Sequence, residues 1–232
     1  MGINVNLLIL TYELEQMSKY LDLIETAFVE HYNEVEASYR AKLSNEMDED
    51  EVELLTDQYL DEFMEAARDF PQLQLLSFIV TWYSFVEQQL LDLCNRLKLK
   101  FPNGPKANES FGKGIYHAHK FLAKVQKYEI DQELWQQLLE INKLRNVIVH
   151  QGKKIRGTWV KPARKCSSYV SESGLTVFVL LDESVLKYLE QRGMLERSDL
   201  SVDIVPTPEY CKYLVEFGKT FFSKLYSDLQ PQ

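Results

Sequence analysis

Arg145, Asn146 and His150 fall within six consecutive residues of the stretch INKLRNVIVHQGKKI, Ile141–Ile155. An arginine can bind a phosphate and stabilise charge growing on its oxygens. A histidine, with an ordinary pKa of about 6.5, can take up or return a proton near neutral pH. An asparagine beside them can hydrogen-bond to the phosphate or hold the imidazole. Together these groups could bind a phosphodiester and move a proton beside it, and no metal is needed where the substrate brings its own nucleophile, as the 2'-hydroxyl of RNA does and DNA does not. In-line transesterification wants both a base and an acid, and each chain offers one well-placed histidine, so a two-fold homodimer facing two copies of the stretch is expected. The plainer reading is a helix end, where a histidine complements the dipole and lysines commonly follow.

The element that must position these groups is a helix over 132–150, closed by Gly152 as C-cap. At about 100° per residue, Leu134, Leu138, Ile141 and Ile148 fall within about 60° of Arg145. The guanidinium is therefore placed at the edge of the core-facing stripe, where leaving it unpaired is costly. Asn146 and His150 lie one above the other, roughly 100° to 140° away, near Asn142 and Lys143. In a second, largely apolar helix over 72–98, the stripe Leu76, Val80, Tyr83, Glu87, Leu90, Cys94 carries one charge. Either Glu87 orients and neutralises Arg145, or each reaches solvent separately.

Charge sets the stretch apart. The chain of 232 residues has a net charge of -9, which by itself disfavours nucleic acid. Residues 1–95 hold 20 acidic and 4 basic side chains (-16), residues 96–171 hold 5 and 16 (+11), and residues 172–232 hold 10 and 6 (-4). No Asp or Glu occurs from Ile141 to Ser171. Lys143, Lys153, Lys154 and Arg156 are expected to track RNA phosphates. Trp159 and Tyr169 are candidates for stacking on unpaired bases, or for packing.

Elsewhere, 11–44 and 46–70 read as acidic helices separated by NEMDEDE, a solvated loop or helix start. The stretch 101–114, rich in Pro, Asn and Gly, reads as a loop, 115–127 as a helix, and Thr207 and Pro208 start a last helix. Ser173-Gly174 before the β-branched run Thr176–Leu181 predicts a small hairpin near 168–181. The expected fold class is all-α: a helical bundle with that minor β element.

RNVIVH resembles the R-x4-6-H signature of the HEPN superfamily. FPQLQLLSFIVTWYSFVEQQLLDLC resembles the long helix that precedes it, Glu87 matching its acidic position, and YCKYLVEFGKTFFSKLY is similar to the final helix of HEPN proteins from prophages and defence loci. The resemblance spans roughly 65–229. It implies an all-α bundle, a two-fold dimer, and a metal-independent endoribonuclease acting as a toxin or abortive-infection effector, with Arg145 and His150 as the catalytic pair and Asn146 as their polar companion. It divides the chain into an acidic helical extension, 1–65, packed on or covering the bundle, and a HEPN-like domain, 66–232. Family members controlled by AMPylation often carry Tyr two residues after the His; here that position is Gly152. The alternative is a non-catalytic HEPN module that dimerises and binds RNA, a nucleotide or a protein.

No cofactor or metal is expected: Cys94, Cys166 and Cys211 form no C-x-x-C pair, and His117 and His119 would point to different faces of a helix. No phosphate-loop or zinc-protease motif is present. No apolar run approaches the roughly 18 to 20 residues of a membrane span, and no signal peptide is evident, so a reducing cytoplasm is expected. Further partners would be an antitoxin or regulatory protein. The acidic N-terminal region reads as an antitoxin contact, a lid over the basic cleft, or structural support.

Overall fold

Trp82, fully buried on the helix α3 (Phe70–Lys100), marks the centre of the fold. In a computed structural model, residues 5–43, 47–100 and 112–229 are described, the side chains of 99 and 100 excepted; most of the loop expected over 101–114 lies outside them. Helix α1 (Val5–Lys42) and helix α7 (Pro208–Asp228) pack against one another, and α7 packs on α3. They approach closely because Gly218 of α7 has no side chain. A Cβ there would stand 3.2 Å from Leu14 Cδ2 and 3.4 Å from Trp82 Cζ2. Leu10, Leu14 and Leu21 give α1 a buried stripe in the same core as α3 and α7.

Beyond Leu21, α1 outgrows that core and pairs with α2 (Glu49–Met64), which buries no residue completely. Aromatic pairs hold this acidic arm together, Tyr39 stacked on Tyr59 at 4.2 Å and Tyr32 tilted against Phe63 at 5.1 Å. The acidic run is a helix start. Asp48 caps α2 by accepting from Glu51 N at 2.9 Å, and Glu51 reaches back to Asp48 N at 3.2 Å. A π turn, Glu65–Asp69, joins α2 to α3 without a break. It sits where Pro71, lacking an N–H, would interrupt an α-helical ladder, and its wider winding absorbs that interruption.

α4 (Gly114–Val125) and α5 (Gln132–Gln151) pack on α3. After α5 comes the main departure from expectation. The all-α bundle with a hairpin near 168–181 is wrong: the hairpin exists, but as one edge of a curled, five-stranded antiparallel sheet. Its strands are β1 (Lys154–Thr158), β2 (Ser167–Val170), β3 (Thr176–Val179), β4 (Leu195–Arg197) and β5 (Ser201–Ile204), in the order β2-β3-β1-β5-β4. Between β3 and β4 lies α6 (Glu183–Gln191), which packs on α5. The strands are three to five residues long, and β1 reads Lys-Ile-Arg-Gly-Thr, so no apolar run announces them. Tertiary pairing decides the outcome: Ile155 faces Val202, and both are buried with Val177 and Val179 on the inner face of the sheet.

Candidate functional site

Asp131 begins α5 by accepting hydrogen bonds from Glu133 N (3.0 Å) and Leu134 N (3.2 Å). Leu138, Ile141 and Leu144 bury the helix against its neighbours. The helix stops at Gly152, whose φ of +76° suits glycine and whose N–H returns to Ile148 O at 3.0 Å.

This frame leaves Arg145 half-buried, as the helical projection predicted. Its partner is different. No ion pair joins Arg145 to Glu87 among the described residues; the guanidinium instead lies over the Tyr83 ring, 5.5 Å from its centre, and Arg145 Nη1 donates to Asn146 Oδ1 at 3.0 Å. Arg145 Nε is buried with no hydrogen-bond partner among the described residues. Glu87 turns toward the start of α4, where its Oε1 packs so closely on Gly114 that a Cβ there would collide with it. A carboxylate at a helix N-terminus is favourably placed. Both charges still act on Tyr83. Burial raises its phenol pKa well above the ordinary value, the Glu87 carboxylate adds to the rise, and the Arg145 guanidinium opposes it. Tyr83 is the residue that sequence reasoning missed, although it stands one turn before Glu87 on the stripe first considered.

Asn146 is the centre of a short chain of amides, donating from Nδ2 to Asn142 Oδ1 at 3.3 Å while accepting from Arg145. Both of these bonds lead away from His150. His150 is exposed on the last turn and makes no hydrogen bond among the described residues.

The four expected cations separate into two kinds. Lys143 Nζ donates to Ser184 Oγ at 2.9 Å, tying α5 to α6, and Lys153 Nζ reaches Asp69 at 3.0 Å and Gln72 Oε1 at 3.3 Å. Lys154 and Arg156 alternate with buried Ile155, so they share the outer face of β1, exposed and without a side-chain partner among the described residues. Gln151 Nε2 donates to Leu180 O at 3.1 Å, which fixes the end of α5 beside the end of β3.

Other candidate chemistry is weaker. His119 stacks on Trp135 at 4.3 Å, and burial lowers the pKa of both His117 and His119. Burial pushes the Cys94 and Cys211 thiols up to about 12, far from a reactive thiolate. No group of three or more His, Cys, Asp or Glu side chains able to hold a metal ion occurs among the described residues, and no helix there is long and apolar enough to cross a membrane. Comparison with protein-family models, with curated proteins and with solved structures finds no match for this chain.

Proposed function

We propose that the chain is a metal-independent endoribonuclease of the HEPN type, a toxin or anti-phage effector acting on RNA in a reducing cytoplasm. One observation carries the reading. Arg145 and Asn146 form a bonded pair half-buried on α5, with exposed His150 on the next turn of the same helix. In the reaction, His150 takes the proton of a ribose 2'-hydroxyl and the 2'-oxygen attacks the adjacent phosphorus. The 5'-oxygen leaves with a proton from a second acid, and a 2',3'-cyclic phosphate results. Arg145, oriented by Asn146 and Tyr83, would stabilise the charge on the phosphoryl oxygens. His150 of a second copy in a two-fold dimer is the natural second acid. An antitoxin or regulatory protein would restrain the activity in the host.

A second reading, a non-catalytic module that binds RNA through the same face, is favoured by the absence, among the described residues, of any hydrogen bond orienting His150. One comparison separates the two. Wild type and His150→Ala are incubated with single-stranded RNA in EDTA and the products resolved on a gel. Loss of the general base is expected to slow cleavage about 10²- to 10⁴-fold. Equal cleavage by both proteins, or none by either across several RNAs, would sink the catalytic reading.

A further inference from the structure

Trp159 is 58% exposed and Val160 76% exposed. The other two tryptophans are placed quite differently: Trp82 is fully buried and Trp135 is half-buried, its ring stacked on His119. Trp159 and Val160 together leave adjoining apolar surface in water, and an indole offers a flat face on which a ring can stack. Topology explains where it stands. β3 lies between β1 and β2 in the sheet, with Thr158 and Ser168 both registered against Phe178, so the connection 159–166 must cross β3. The inner face is closed by Val177 and Val179, and most of the connection is exposed, so it crosses on the outer face. Lys165 anchors its far end by donating to Asp182 at 2.8 Å.

The outer face therefore gathers Lys154 and Arg156 from β1, then Trp159, Lys161 and Arg164 from the crossing segment. All four cations are exposed and have no hydrogen bond or ion pair among the described residues. The other aromatic candidate is excluded, because Tyr169 is buried and donates to Ser198 O and Ser201 O at 2.7 and 2.8 Å. The face begins beside the end of α5, through the Gln151 contact with Leu180, and runs along β1 for about 17 Å at the usual rise per strand residue.

We infer that this face is a platform for single-stranded RNA, on which an unpaired base stacks against Trp159 while Lys154, Arg156, Lys161 and Arg164 follow the phosphates. The inference rests on the RNA reading above and adds to it the form of the substrate: a duplex hides the base faces that an indole needs, and a single strand presents them. The segment itself has no carboxylate from Ile141 to Ser171, and these four cations outnumber the two carboxylates that the register places on this face, Asp203 beside Lys154 and Glu196 beyond it, which suits a polyanion.

The test uses the full chain carrying His150→Ala, so that the probe survives, and reads fluorescence anisotropy with a labelled 12-residue oligouridylate and with an RNA duplex of equal length. Trp159→Ala is expected to weaken oligouridylate binding about 10- to 100-fold while leaving duplex binding within about twofold, and Trp159→Phe to retain most of the affinity. Equal oligouridylate binding by Trp159→Ala and its parent, an equal loss on both probes, or no binding of the oligouridylate by the parent overturns the platform, the last pointing to a protein partner instead. If Trp159→Ala shifts the unfolding midpoint, Trp159→Phe against Trp159→Leu decides, since leucine keeps apolar area without a stacking plane; equal affinity of the two overturns stacking. Cleavage by wild type is scored separately. A platform without cleavage removes only the catalytic reading, and cleavage with an indifferent Trp159 removes only the platform.

Discussion

Around Trp82, helices α1, α3 and α7 bring Leu14, Phe217 and Gly218 together so closely that a single methyl group is already crowded. From Gly152 to Cys166 the chain does the opposite, turning Lys154, Arg156, Trp159, Lys161 and Arg164 into solvent with no partner among the described residues. The first region has used its interactions in folding. The second keeps cations and an aromatic ring unengaged, and the proposed binding of RNA would draw its energy from them. Substitutions in the two regions should therefore be read by different measurements.

The largest effect belongs to α1. A lid over the basic cleft would mean that deleting residues 1–60 raises activity. However, Leu10, Leu14 and Leu21 lie in the central core, and each buried leucine is worth about 2–5 kcal/mol on truncation to alanine, against a total of about 5–15 kcal/mol for a domain. The deletion is expected to unfold the protein. The milder form is Leu14→Ala, expected to cost about 2–5 kcal/mol in urea unfolding, because Gly218 opposite has no side chain with which to fill the space. A loss under about 1 kcal/mol would show that α1 is not an integral part of the core.

The boundary between the regions is Asp182. It caps α6 by accepting from Ser184 N at 2.9 Å and also receives Lys165 from the crossing segment. The hydrogen bond from Lys165, then those from the Ser184 hydroxyl and N–H, hold its carboxyl well below the usual range. A carboxyl lowered in the folded state adds stability above its unfolded pKa of about 3.9, and that contribution fades as pH falls toward the lower native value. The side chain is 40% exposed, so screening keeps the gain small. Asp182→Ala is expected to cost about 1 kcal/mol at pH 7 as a lost cap and to flatten the acid limb below about pH 4, measured by thermal unfolding across pH. An unchanged acid limb would dissociate the cap from the acid sensitivity.

What was legible in the sequence follows the range of the interaction. The start of α7 at Thr207 and Pro208, the cap at Gly152 and the half-buried position of Arg145 rest on residues a few positions apart, and each could be read from spacing. Glu87 could not. A helical projection fixes the direction in which a side chain leaves its helix, but not which neighbour stands there, and here Tyr83 and Gly114 came between the two charges. The sheet was hidden for a similar reason. β1 pairs with β3 and β5, which lie some 20 to 50 residues later in the chain, and only that pairing makes Lys-Ile-Arg-Gly-Thr a strand. It also separates Lys153 from Lys154, adjacent in sequence yet one tied to Asp69 and the other without a partner among the described residues.

That last separation gives the smallest and most discriminating effect. Lys153→Ala removes an exposed ion pair with Asp69, worth no more than about 1 kcal/mol of stability. Arg156→Ala removes a side chain with no partner among the described residues, and its effect on stability is expected within about 0.5 kcal/mol. For oligonucleotide binding the order reverses. A cation already neutralised by the protein releases little counterion, whereas a free one on the binding face contributes about 0.7 to the slope of log affinity against log salt for a single strand. Across about 50 to 200 mM salt, Arg156→Ala is therefore expected to lower that slope by about 0.7, and Lys153→Ala to leave it almost unchanged. Equal changes from the two variants would erase the distinction between tied and free cations, because RNA would then be drawing Lys153 away from Asp69, and the residue just before β1 would join the binding face on contact.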